Sequence, residues 1–277
     1  MSMVIGTNVA SLTAQRHLAS SRADMETSME RLSSGSRINS SMDDAAGLAI
    51  THRLDSKIVG LNQGIRNAND GISMIAVAEG AMEEIGSMLS RMKELATQAA
   101  SDTYAATDRT ALNTEFQALA VEITRVAADT DFNGIAIANS ATALKIQVGD
   151  DNSANSTVTI TPIAMTATTL TVTDSTTAIV LDSATNAGLA MAAVDVAIGK
   201  VDTQRSALGA VANTLDHTVA NLMSRIEHQS AARSQIQDTD FAVESANLAR
   251  AQVLQQAGTA MLAQANASGQ NVLSLLK

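Results

Sequence analysis

The chain has 277 residues, 45% of them apolar, which is enough to bury a sizeable core and reads as a folded protein. Aromatics amount to 1%, with Tyr104, three Phe and no Trp, and Pro162 is the one proline, so the composition predicts long helices joined along thin seams. A formal charge of −10 argues against nucleic acid, zero cysteines exclude disulfides and thiolate metal sites, and no apolar run approaches the ~18 residues needed to cross a membrane.

Near the start, Leu18, Met25 and Leu32 stand seven apart with Met29 between them, one apolar stripe on a predicted helix. From Leu54 the apolar positions Leu61, Ala68, Ile75, Met82, Leu89 and Ala96, with companions such as Ala78, Ile85, Met92 and Ala99, keep steps of three or four, the pattern of a coiled-coil seam. At ~1.5 Å per residue that helix would be on the order of 70 Å long, which predicts a rod. A second rod helix is predicted after Asp108, taken as its N-cap, with Leu112, Phe116, Leu119, Ile123 and Val126 on its seam.

The texture then changes. Residues 131–134 end in Asn-Gly, a turn signal, and β-favouring runs follow at residues 145–148, 157–161 and 170–173, separated by Thr, Ser and Asn. This stretch predicts a small, solvent-facing β element. A third rod helix carries Val194, Val201, Leu208, Leu215 and Leu222 at sevens, with Ile198, Ala212, Val219 and Ile226 as companions. Three seams of one period predict an antiparallel bundle. Close to the end, Leu248, Ala251, Leu254, Ala257, Met261 and Ala265 form another stripe, and Val272 and Leu276 lie in an apolar terminus. Neither terminal stripe has a large partner in its own segment, so the ends either pair with each other or bury their surface against other molecules; they are expected to order on assembly.

At residues 5–12 (Ile-Gly-Thr-Asn-Val-Ala-Ser-Leu), 30–38 (Glu-Arg-Leu-Ser-Ser-Gly-Ser-Arg-Ile), 43–50 (Asp-Asp-Ala-Ala-Gly-Leu-Ala-Ile), 67–72, 132–134 and 251–276 with its Gln-Gln-Ala-Gly, the chain resembles the bacterial flagellin family. The resemblance covers roughly 1–140 and 187–277. It implies a mainly α fold: a long antiparallel coiled-coil and helical-bundle rod with terminal helices pairing and a small β-hairpin element in the central insert. It further implies an inner coiled-coil domain at 1–42 and 236–277 lining a filament channel, a rod domain at 43–140 and 187–235, and a short β-rich surface insert at 141–186.

By the same resemblance the chain is a subunit that polymerises into the flagellar filament for motility, with Leu18, Met25, Leu32, Leu248, Leu254, Met261, Val272 and Leu276 as self-assembly residues. The implied partners are further copies of itself, the flagellar export apparatus, an export chaperone at the C-terminal segment, and the filament cap and junction proteins. Export through that apparatus fits an N-terminus without secretory-signal character, and implies an extracellular filament reached without a cleaved signal. Arg91, Leu95 and Glu115 match the rod surface recognised by the vertebrate innate immune receptor for flagellin, with Leu95 expected to be exposed, four residues from Arg91 and off the Leu89–Met92 seam.

No catalytic, cofactor or metal residue is expected. His17, His52, His217 and His228 have no metal-ligand spacing and read as helix-face histidines. Asp43-Asp44 and Glu83-Glu84 are neighbours that diverge by ~100° on a helix, so they read as helix-end or solvated charges rather than paired acids. Gly134 and Gly149 belong to turns, not phosphate loops. Two other readings share the helical pattern: a hook–filament junction protein and a helical-hairpin signalling protein. The β-like insert and the apolar C-terminus disfavour the second.

Overall fold

The structure, a computed structural model, describes residues 7–162, 164–171 and 179–274, with side chains at the C-terminal end only as far as 267. Five helices dominate: α1 (Val9–Ser34), α2 (Ala45–Ala99), α3 (Ala106–Asp129), α4 (Ala184–Gln237) and α5 (Phe241–Ser274). Two two-stranded antiparallel sheets lie between α3 and α4, β1 (Asp131–Phe132) with β2 (Ile135–Ala136) and β3 (Leu144–Gln147) with β4 (Thr157–Ile160). Two compact units emerge, a terminal unit (Met1–Ser56 and His228–Lys277) and a central unit (Lys57–Glu227).

In the central unit, α3 and α4 each run antiparallel to α2. Lys93 pairs with Asp195 at 2.5 Å and Glu79 with Arg205 at 2.7 Å, so positions fall along α2 as they rise along α4. Arg91 meets Glu115 at 2.9 Å, and the Arg109 guanidinium donates to the Ala99 carbonyl at 2.9 Å, the same inverse order between α2 and α3. The buried rows are heptads: Leu61, Ala68, Ile75, Met82, Leu89 and Ala96 on α2, and Ala187, Val194, Val201, Leu208, Leu215 and Leu222 on α4. Phe116, Ala120, Ile123 and Ala127 close the core from α3, while Ile198, Ala212, Val219 and Ile226 pack half-buried at its edge.

Asp108 is not the N-cap of α3. The helix starts two residues earlier, and Asp108 sits in its first turn, where its carboxylate accepts from the Ala105 N–H at 3.1 Å. A first-turn acid can hold the helix start as well as a cap residue can, which is why spacing alone misplaced it.

The Asn-Gly signal gives the β1–β2 hairpin: Asn133 and Gly134 both take positive φ, 52° and 77°, the turn that suits the twist of a two-residue loop. The β3–β4 pair, in register Leu144↔Ile160 to Gln147↔Thr157, corrects the expectation of a solvent-facing insert. Val148, Ile160, Met165, Ala167, Leu170 and Leu181 are all buried in the central core. The physical cause is a stripe of glycines on α2. A Cβ on Gly64 would collide with the Val148 carbonyl, one on Gly71 with Ile146, and one on Gly60 would lie 2.9 Å from Asp150 Cβ, so the insert settles directly on helix backbone. Side-chain amides then stitch the segment down: Asn67 donates to the Gln147 carbonyl at 2.8 Å, Gln204 to Thr161 at 3.0 Å and Gln117 to Ile179 at 2.6 Å. The run at 170–173 is not a strand where described, because Leu170 and Thr171 form a turn with Thr171 at φ 67°; its remaining residues lie outside the described ones.

Candidate assembly surfaces

The terminal unit is built around one antiparallel pair, α1 against α5. Asn8 caps α1, its side-chain oxygen accepting the Ser11 N–H at 3.0 Å, and its amide reaches across to the Ala265 carbonyl at 2.9 Å. Ser11 donates to the Asn266 side chain at 2.9 Å. Leu18 rides over Gly258, where an added Cβ would stand 3.2 Å from Leu18 Cδ1, so the glycine lets the helices approach. At the other end Arg31 faces Glu244 at 4.0 Å.

α1 stops at Gly35, which takes φ 71° and returns its N–H to the Arg31 carbonyl at 2.9 Å, a left-handed cap that suits glycine. The chain next meets the α4–α5 junction in a short antiparallel bridge, Ser36 to Asp238. The Arg37 N–H donates to the Gln237 carbonyl and its guanidinium to the Ile236 carbonyl, both at 2.6 Å, while the Thr239 N–H donates to Gly35 at 3.0 Å. Asp43 accepts from the Asn39 and Ser40 amides, and these bonds, Ser40 first, hold its carboxyl below its ordinary pKa. Asp44 caps α2 through the Gly47 N–H at 2.9 Å. The Asp43-Asp44 pair therefore works as two separate local caps.

The pairing leaves a large apolar surface without a partner in the chain. Among the described residues of the terminal unit only two apolar side chains are buried, Ile38 and Ala251, whereas Val9, Leu12, Met29, Val253, Leu254 and Met261 are exposed. Between α1 and α5 runs an apolar groove of about 720 Å³, walled by Val9, Ala10, Ala14, Leu254, Ala257 and Met261. Of the residues singled out for self-assembly, Leu18, Met25, Leu32 and Leu248 are half-buried in the pair, and Leu254 and Met261 are 51% and 64% exposed. The side chain of Val272 and all of Leu276 lie outside the described residues.

On the central unit, Arg91 and Glu115 are brought together in a small exposed network that includes Glu94 at 2.9 Å. Hydrogen bonds to Glu94, and then to Glu115, push the Arg91 guanidinium above its ordinary pKa. Leu95 does not join them at the surface: it is 1% exposed. At ~100° per residue it lies about 60° from Met92 on the Arg91 side, which is the side α3 covers. Two partner helices widen the buried arc of α2 beyond the seam that one partner would cover.

His17, His52, His217 and His228 are exposed, and no group of three metal-ligating side chains converges among the described residues. No described helix is long and apolar enough to cross a membrane. What sequence reasoning missed is polar or small: Asn8 with Ser11, Gly258 beneath Leu18, and the Gly60, Gly64, Gly71 stripe. The glycine spacing on one helix face was a usable signal.

Residues 5–143 match the family model described as the bacterial flagellin N-terminal helical region, and residues 191–276 match the bacterial flagellin C-terminal helical region. A flagellin of Halalkalibacterium halodurans is 41% identical over 99% of this chain and 100% of its own length. Flagellin FlaB2 of Treponema pallidum is 38% identical over the same shares. In fold alone, a solved putative flagellar hook-associated protein from Vibrio parahaemolyticus is similar, with a TM-score of 0.57 and 14% identity over 71% of this chain and 100% of that one.

Proposed function

The chain belongs to the bacterial flagellin family and is a structural subunit of the flagellar filament, not an enzyme; from that premise we propose that its α1–α5 pair forms the inner layer of a swimming filament, around the channel. The helical central unit then builds the surrounding tube. The observation that carries this reading is the unpartnered apolar face of α1 and α5, with two buried apolar side chains against ten large exposed ones among the described residues of the terminal unit. Such a face is stable only when other molecules cover it, and copies stacked in an open helical array do so repeatedly.

The domain assignment follows: residues 1–42 and 236–277 as inner coil, 43–140 and 187–235 as rod, and 141–186 as an insert. The self-assembly residues Leu18, Met25, Leu32, Leu248, Leu254, Met261, Val272 and Leu276 belong to the inner coil. Export without a cleaved signal, an export chaperone at the C-terminal segment, and cap and junction proteins complete the partner set. The test is seeded growth: heat-dissociated subunits are added to short filament seeds and sedimentable polymer is followed by electron microscopy, with the full chain compared to one ending at Gln237. Growth by the full chain alone is expected, and equal growth by the shortened chain would overturn the inner-coil role.

Recognition by the vertebrate innate immune receptor for flagellin falls, on this reading, to the exposed Arg91 and Glu115, with Leu95 supporting the surface from below. Arg91→Ala is expected to weaken receptor signalling in reporter cells while leaving the melting temperature within a few degrees. Unchanged signalling would remove the central unit's ion-pair network from this role.

A further inference from the structure

We infer that Phe241, at the start of α5, docks into the apolar α1–α5 groove of a second copy. The inference rests on the reading of the chain as a filament subunit and adds the contact by which one subunit holds the next. In a chain this poor in aromatics, Phe116 is fully buried and Phe132 packs half-buried on the central core, whereas Phe241 is 58% exposed. Large apolar side chains held rigidly at a surface are the usual anchors of protein contacts.

The backbone that presents Phe241 is fixed. Asp240 caps α5, its carboxylate accepting the Ala242 and Val243 amides at 2.9 and 3.2 Å, and the Thr239–Gly35 bond fixes the residue just before the cap. The receptacle has matching character. The groove is walled by Val9, Ala14, Leu254, Ala257 and Met261, and its volume of about 720 Å³ admits a phenyl ring. The charges allow the approach as well: the terminal unit carries eight Lys and Arg against nine Asp and Glu, so two such units meet almost without net repulsion.

Direction follows from helix geometry. Phe241 and Ala257 lie on one helix, about 25 Å apart at 1.5 Å per residue, so a copy cannot fill its own groove. Anchor and groove are different patches, so in a filament the contact runs head-to-tail and propagates a fibre, whereas a reciprocal two-fold pairing would stop at a dimer.

The chain has no cysteine, so an introduced pair gives an unambiguous test. In a Phe241→Cys, Met261→Cys double variant the two positions of one copy are about 30 Å apart along α5, far beyond the ~7 Å limit between Cα atoms for a disulfide. Oxidising its seeded filaments is expected to give a ladder of linked oligomers on non-reducing gels, and neither single variant should give one. Normal filaments with no ladder overturn the inference and leave the filament reading intact; failure of the wild-type chain to extend seeds takes down that reading itself. Independently, Phe241→Ala is expected to raise the critical concentration for elongation about tenfold while Phe241→Leu stays near wild type. An unchanged critical concentration for Phe241→Ala also overturns it.

Discussion

The two units use the same helix-rich composition in opposite ways. The central unit closes on itself: among its described residues thirty-two apolar side chains from α2, α3, α4 and the insert are buried in one cluster, and its sequence carries ten Lys and Arg against nineteen Asp and Glu. The terminal unit, among its described residues, buries two apolar side chains and leaves ten large ones exposed, and its sequence is almost neutral. The first is a finished core with a solubilising charge; the second is half of a core. A filament subunit needs both, because a finished face keeps the free chain folded and soluble while an unfinished one makes association favourable.

The contrast breaks most visibly in the central core. Phe116→Ala removes a fully buried ring and is expected to cost about 3–5 kcal/mol in the free subunit, read as a drop in thermal or urea midpoint. A loss below 1 kcal/mol would mean the central unit is not the closed core described. The next effect is smaller. Gly64→Ala pushes a methyl into the Val148 carbonyl and is expected to cost about 1–3 kcal/mol, with the β3–β4 hairpin losing amide-exchange protection before α3 does. Wild-type protection at Ile146 and Val148 in that variant would show that the hairpin does not depend on the glycine stripe.

The heptads of α2 and α4 and the Asn133-Gly134 turn could be read directly from the chain, because each rests on a local period or a local dihedral demand. Leu95 could not. Its burial depends on α3 packing beside α4 against α2, a fact about three helices that no single seam records. The insert misled for a related reason: its Thr- and Ser-rich composition reads as solvent-facing, while Val148, Ile160 and Leu170 are buried, Val148 directly on the glycine backbone of α2, far away in sequence. The terminal stripes were legible as stripes, and their incompleteness was visible in the lack of bulky apolar residues. The clasp from Gly35 to Thr239 was not, since backbone pairing between residues some two hundred positions apart leaves no periodic trace.

The terminal unit should respond in the reverse sense to the core. Leu254→Ala, at 51% exposure, is expected to cost the free subunit less than ~1 kcal/mol and yet raise the critical concentration for elongation, because the lost methyl groups matter only once a neighbour covers them. A large drop in melting temperature with unchanged elongation would invert the comparison and place Leu254 in a monomer core.

The smallest expected effect is electrostatic, and it separates the two units by the donors they use. Asp43 in the terminal unit accepts backbone amides of Ser40 and Asn39, and Asp151 in the central unit accepts mainly hydroxyls, Ser156 before Ser153; both carboxyls are held below their ordinary pKa. A carboxyl depressed in the folded state contributes stability that is present above its unfolded pKa and fades as pH falls through the lowered folded value. Acidification below the normal aspartate range should therefore release both loops. Only the Asp43 loop should report it through the amide protons of Asn39 and Ser40, whose NMR shifts are expected to titrate together. Asp43→Asn should abolish that titration without moving the thermal midpoint of the central core, and a persistent titration at those amides would assign it to another group.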